Sequence, residues 1–164
     1  MRLSTKGRYA VTAMVDIARH GGNGPVNLAS VAARQEISLS YLEQLFSKLG
    51  RKGLVKSMRG PGGGFSLAKP ADQIAIAAIV EAAEESIKTT NCSGDPTTGC
   101  RSDKSRCLTH DLWEELGGVI HNYLSSKTLQ DVLTSNLDHD HACAARKDYD
   151  FITDNRNLGK TAHG

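Results

Sequence analysis

The run Arg59-Gly60-Pro61-Gly62-Gly63-Gly64 limits what this chain can fold into more than any other stretch, because four glycines and a proline in six residues exclude a helix there. Leu54-Val55-Lys56-Ser57-Met58 precedes it and Phe65-Ser66-Leu67 follows, and these read as two short strands joined by the run. A nucleotide-cradling loop is also glycine-rich, but it ends in Gly-Lys-Ser/Thr and opens a helix. No such triplet follows here, and the run enters a strand. The segment is therefore a hairpin with a glycine tip and a cation at its base. Glycines let the backbone approach phosphates closely, and an arginine fits a narrow minor groove where the negative potential is strongest.

What precedes the hairpin gives it a context. Ser4 or Thr5 is placed to cap a first helix, along which Tyr9, Ala10, Ala13, Met14, Ile17 and Ala18 recur at helical spacing until Gly21-Gly22-Asn23-Gly24-Pro25 ends it. Asn27 then caps a short helix, LASVAARQ, and after Glu36-Ile37-Ser38 a second one follows, LSYLEQLFSKLGRKG. Leu42, Leu45, Phe46 and Leu49 form its inward face, which leaves Ser40, Tyr41, Glu43, Gln44, Ser47, Lys48 and Arg51 towards solvent or a partner. Two short helices about a tight turn, residues 28–51, make a helix-turn-helix, and residues 54–67 make its wing. An ordinary helical hairpin has the same local pattern; the wing is what separates the two readings. Charge points the same way. Residues 1–70 carry 11 Lys/Arg and 3 Asp/Glu, a net of +8, whereas residues 71–164 carry 9 and 15, a net of −6. A basic N-terminal half suits a polyanion, most simply nucleic acid. The expected fold class is mainly α with a small β-hairpin wing, a winged helix-turn-helix DNA-binding domain over 1–70 followed by a long dimerisation helix.

The acidic half holds a second signal. Residues 88–112, KTTNCSGDPTTGCRSDKSRCLTHDL, contain Cys92, Cys100 and Cys107, with His110 three positions after the last. Thiolates gathered with an imidazole suit zinc or an iron-sulfur cluster, since both prefer sulfur and nitrogen donors. The spacing C-x7-C-x6-C-x2-H is wider than the C-x2-4-C knuckle of most zinc fingers. Gly94, Asp95, Pro96 and Gly99 bend the connection, so its order should depend on the metal. Incidental cysteines are the bland alternative, and a disulfide framework is disfavoured because Met1-Arg2-Leu3-Ser4 leads into a charged amphipathic segment rather than a secretory signal. A reducing, cytoplasmic setting is expected.

Residues 71–135 read as a connecting helix patterned by Ile74, Ile76, Ile79, Val80 and Ala83, the ligand loop at 88–110, and a long helix with the stripe Leu112, Trp113, Leu116, Val119, Ile120, Tyr123 and Leu124. That stripe must bury against something. A second copy and an intramolecular core are the two candidates, and a two-fold pair would place two recognition helices on adjacent turns of a palindromic site. Gly117-Gly118 lies inside the stripe at a propensity cost of about 1 kcal/mol per glycine. Residues 136–164 are polar and without period, the pattern of a disordered tail, although DHDHACAAR offers His139, His141 and Cys143 as alternative donors.

Four of these motifs, MRLSTKGRYAVTAM, ISLSYLEQLFSKL, MRGPGGGF and the cysteine segment ending CLTHDLW, occur in one order. In that order they resemble the IscR family of bacterial iron-sulfur cluster regulators over about residues 1–135. The resemblance implies a winged-helix homodimer that holds a 2Fe-2S cluster on Cys92, Cys100, Cys107 and His110, supplied by the iron-sulfur assembly machinery. It also implies that cluster occupancy selects the promoter sites at which the protein represses or activates cluster-assembly genes. Carried onto this chain, the DNA contacts are Ser40, Tyr41, Glu43, Gln44, Arg59, Gly60 and Pro61. Two departures stand out: the cysteine loop is longer than is usual in the family, and Glu36 replaces a glycine of the helix-turn-helix turn. If that turn needs positive φ, the replacement strains the backbone by about 1 kcal/mol. Related winged-helix regulators with a 4Fe-4S cluster on three cysteines, sensing iron or nitric oxide, form one alternative, and a zinc-stabilised transcription factor another. An enzyme built on a Cys107–His110 pair is the reading from a different class. It lacks a third orienting group and leaves the basic half without a task.

Overall fold

A computed structural model of the chain describes residues 5–83 and 105–134. Helix α1 spans Thr5–His20, α2 Leu28–Gln35 and α3 Leu39–Arg51; strands β1 (Val55–Met58) and β2 (Gly64–Leu67) follow, then α4 (Ile76–Ala83), α5 (His110–Ser126) and α6 (Leu129–Leu133). The strands pair antiparallel, with Val55 opposite Leu67 and Met58 opposite Gly64. Mostly helix with one hairpin is what the glycine run and the two helical periods foretell.

The core forms where the apolar faces of α1, α3 and α4 meet. Ala10, Ala13, Met14 and Ile17 from α1, Leu42, Leu45, Phe46 and Leu49 from α3, and Ile79 and Val80 from α4 are all buried. Small side chains on α1 let α4 come close, and Leu129 of α6 closes the same cluster from the other side. Asn27 caps α2 as expected: its Oδ1 accepts from the backbone N–H of Ala29 at 2.8 Å. Helix α2 ends on Glu36, whose φ of 54° and ψ of 40° are left-handed; it is the one non-glycine residue with positive φ among those described. The backbone N–H of Glu36 reaches back to the Ala32 carbonyl, so the turn between α2 and α3 does require the conformation that a glycine adopts freely.

Asp16 is the buried charge of this fold, at 3% exposure. Arg34 donates to it twice, Nε to Oδ2 at 3.0 Å and Nη2 to Oδ1, and Gln35 Nε2 donates to Oδ2 at 2.7 Å. Burial alone would raise the Asp16 pKa; hydrogen bonds from Arg34 and Gln35, with the positive charge of Arg34, outweigh it and hold the carboxyl below the ordinary carboxylate range. Through this carboxylate α1 holds the C-terminal turn of α2, which in turn sets the helix-turn-helix angle.

The chain also closes on itself beyond the wing. Ile76 N donates to the Lys127 carbonyl at 2.9 Å and Leu129 N to the Ile74 carbonyl at 2.8 Å, forming an antiparallel bridge between Ala75 and Thr128. Thr128 and Asp131 then cap α6 reciprocally. Helices α4 and α5 therefore leave and return at one point, and α4 packs against α5. No helix among the described residues is long and apolar enough to cross a membrane.

Candidate nucleic-acid interface and metal-ligand segment

Helix α3 presents two faces. Leu42, Leu45, Phe46 and Leu49 are buried, while Ser40, Glu43, Gln44 and Ser47 are exposed, as the sequence period requires. Ser38 and Ser40 lie 2.9 Å apart through their hydroxyls at the start of the helix. Two residues of the partner-facing set behave differently. Tyr41 is half-buried, its ring set edge-on to Tyr9 at 5.9 Å between centroids. Lys48 is half-buried too, and its Nζ donates to the carbonyl of Ala83 at 3.2 Å. In both cases the covering element comes from far along the chain.

Beside α3 the wing projects Arg59, Gly60 and Pro61, all exposed. Gly60 and Gly62 adopt φ of 103° and 76°, which glycine takes freely and most residues with a Cβ do not, and this reverses the chain at the tip. Gly64 serves another purpose. Phe65 and Val26 exchange backbone hydrogen bonds of 2.8 Å each, and a Cβ at Gly64 would collide with the Val26 carbonyl. The wing is thus fastened to the segment leading into α2, and Phe65 rests against Phe46 of α3 at 5.0 Å between ring centroids. Wing and α3 are held as one surface.

Of the sequence-predicted metal ligands, Cys107 and His110 are described; Cys92 and Cys100 lie outside the described residues, as do His139, His141 and Cys143. His110 N donates to the Cys107 carbonyl at 3.1 Å, closing a turn that sets both residues at the N-terminus of α5. The His110 side chain is buried, with Nε2 3.4 Å from Glu114 Oε2, and Cys107 Sγ lies 3.8 Å from Thr109 Oγ1. A thiol and an imidazole at the positive end of a helix suit an anionic, thiolate-ligated metal group, so the two described residues fit the implied cluster. Beyond His110, α5 has no other buried residue, and Leu112, Trp113, Val119 and Tyr123 stand exposed along it. The stripe divides: Leu116, Ile120 and Leu124 are half-buried, with Leu124 packed against the core, while Leu112, Trp113, Val119 and Tyr123 are left outward.

Sequence reasoning passed over three features of this surface: the Lys48–Ala83 link, the Asp16 carboxylate beneath α2, and Leu39, which is exposed at the first position of α3. Leu39 alone had a legible signal, standing four residues before Glu43 on the same helical face.

A helix-turn-helix with an exposed polar second helix, locked to a glycine-tipped wing, defines a winged-helix DNA-binding transcriptional regulator. Residues 3–135 match the model of the Rrf2 family, described as iron-dependent transcriptional regulators. The chain belongs to the Rrf2 family, and it is a transcriptional regulator of the IscR type. It is 53% identical over 135 residues to the HTH-type transcriptional regulator IscR of Erwinia tasmaniensis, covering 82% of this chain and 80% of that protein. The IscR of Yersinia pseudotuberculosis is 52% identical over the same length and shares. Among solved structures, IscR of T. potens aligns with a TM-score of 0.66 at 37% identity, over 85% of this chain and 90% of that one. CymR, the global cysteine regulator of B. subtilis, aligns with a TM-score of 0.68 at 34% identity, over 82% and 98%.

Proposed function

We propose that this protein is a cytoplasmic homodimer that senses iron-sulfur cluster supply and lets cluster occupancy choose which promoter sites it binds. The observation that carries the reading is that α5 carries a candidate ligand, His110, in its first turn and the exposed apolar side chains Leu112, Trp113, Val119 and Tyr123 along its length. One element thus belongs both to the metal segment and to the surface that would pair two copies. Cys92, Cys100, Cys107 and His110 would hold a 2Fe-2S cluster delivered by the assembly machinery. When bound, it supplies an oxidant-labile centre, and one neutral imidazole among thiolates makes it less anionic and easier to lose.

The chain's own residues do the reading. Ser40, Glu43 and Gln44 lie towards the major groove, with Tyr41 held against Tyr9 at its edge, and the Glu43 carboxylate accepts from a cytosine N4 amine and disfavours sites that lack one. Arg59 enters the adjacent minor groove, while the backbone at Gly60 and the ring of Pro61 approach the phosphates. Two copies paired through α5 present their recognition helices about one DNA turn, roughly 34 Å, apart, which fits a pseudo-palindromic operator. Lys48, which ties α3 to Ala83 at the end of α4, offers a route from the metal segment to the recognition helix. Ordering that segment shifts whatever α4 leans on, and α3 is among its supports.

The test is the colour and content of anaerobically purified protein. Charge-transfer absorption in the visible, with equal iron and sulfide at two each per chain, is expected. Cys92→Ala, Cys100→Ala and Cys107→Ala should each be colourless, and Cys143→Ala should keep its colour. A colourless wild type with stoichiometric zinc overturns the cluster reading, and four iron with four sulfide overturns the cluster type.

A further inference from the structure

Helix α3 carries one large apolar side chain that its own fold does not cover. Leu39 is 40% exposed, whereas Leu42, Leu45 and Leu49 of the same helix are between 0% and 3% exposed. It lines a shallow cleft with Glu43 and Ser47 on one side and Gly63, Gly64 and Phe65 of the wing on the other. Leu39, Glu43 and Ser47 are spaced at i, i+4 and i+8, so they form a single stripe along the helix, with the leucine in its first turn. In a recognition helix the N-terminal residues come nearest the base edges.

We propose that Leu39 reads the C5-methyl group of a thymine, a specificity contact beside the one made by Glu43. This rests on the DNA-interface reading above and deepens it. The major groove is lined by hydrogen-bond donors and acceptors with one hydrocarbon among them, the thymine methyl, so a leucine directed there has one apolar partner to find. Its position along the site follows from geometry. Four residues of helix rise about 6 Å, and stacked bases repeat at about 3.4 Å, so the thymine lies within two base pairs of the base that faces Glu43. A methyl removed from water at this contact is worth about a fourfold change in affinity.

Deoxyuridine provides the test, since it pairs as thymine does and lacks only the methyl. Full-length, cluster-loaded protein is first used to select its site from a randomised duplex pool, and each thymine of that site is then replaced singly by deoxyuridine. Wild type should lose about fourfold affinity at one position per half-site and little at the others. Leu39→Ala should bind the thymine site more weakly and show no further loss on the uracil version, while Leu39→Met, which keeps an apolar reach, should regain sensitivity to the methyl. Unchanged wild-type affinity across the whole uracil series overturns the proposal, as does a Leu39→Ala protein that keeps the full uracil penalty. A wild-type protein that selects no duplex at all overturns the DNA-interface reading itself, and this inference with it.

Discussion

Removing the Asp16 carboxylate should be among the most damaging single changes in the winged-helix unit, although no sequence motif marks it. Asp16→Ala deletes the acceptor of two Arg34 bonds and one from Gln35, and leaves those donors facing a cavity. Breaking a fully buried ion pair from one side costs about 3–5 kcal/mol, because the surviving charge is stranded. Here the Arg34 side chain is 35% exposed and can turn back to water, which lowers the expected loss to about 2–3 kcal/mol, on the order of 10 °C in melting temperature. Asp16→Asn keeps the shape but directs an amide at donors, and should fall between Ala and wild type. The pH dependence has a definite sign. The folded pKa of Asp16 lies below its unfolded value of about 3.9, so its contribution is fully present above that value and fades as pH falls through the folded pKa. Urea denaturation of wild type and Asp16→Asn should therefore give a gap at neutral pH that narrows below pH 4. Coincident midpoints at pH 7, or a gap that widens in acid, would refute the argument.

Three further outcomes are expected. Glu36→Gly relieves a left-handed residue and should raise stability by about 0.5–1 kcal/mol, while Glu36→Val, β-branched at the same φ, should lower it; the reverse order in thermal melts would show that the turn is unstrained. Arg59→Ala should weaken binding to most sites and reduce the slope of log affinity against log salt by about one, measured by fluorescence anisotropy; an unchanged slope removes the wing arginine from the interface. Glu43→Ala in a Cys92→Ala background should restore binding to sites that otherwise need the cluster, a gain of about 1–3 kcal/mol per half-site in mobility-shift titrations. Continued failure on those sites would place the discrimination in dimer geometry instead.

How far the sequence could be read depended on how local the cause was. The buried face of α3 and the span of α2 follow from spacing within one or two turns, and the hairpin from glycines that tolerate nothing else. Glu36 was legible as strain only through the family resemblance, which puts a glycine at that turn. Tyr41 and Lys48 were read as outward-facing because the elements that cover them, Tyr9 on α1 and the end of α4, are brought in only by the completed fold. Asp16 was illegible for the same reason, since the donors that hold its carboxylate, Arg34 and Gln35, stand 18 and 19 residues away. Helix α6 is five residues long, too short to show a period, and owes its existence to the reciprocal cap of Thr128 and Asp131 and to burial of Leu129. In the metal segment the sequence names candidate donors by type and spacing, and of these the fold sets Cys107 and His110 together at the start of α5.

The bridge between Ala75 and Thr128 fixes both ends of everything between them, and this has a consequence for how such a chain can change over generations. A closed excursion of that length resists lengthening only through the logarithm of its size, so two or three added residues in it cost well under about 0.1 kcal/mol. An insertion there leaves the bridge at Ala75 and Thr128 in place. On this ground the excursion behaves as a cartridge, in which the spacing between candidate donors can change at little thermodynamic cost to the chain that closes it.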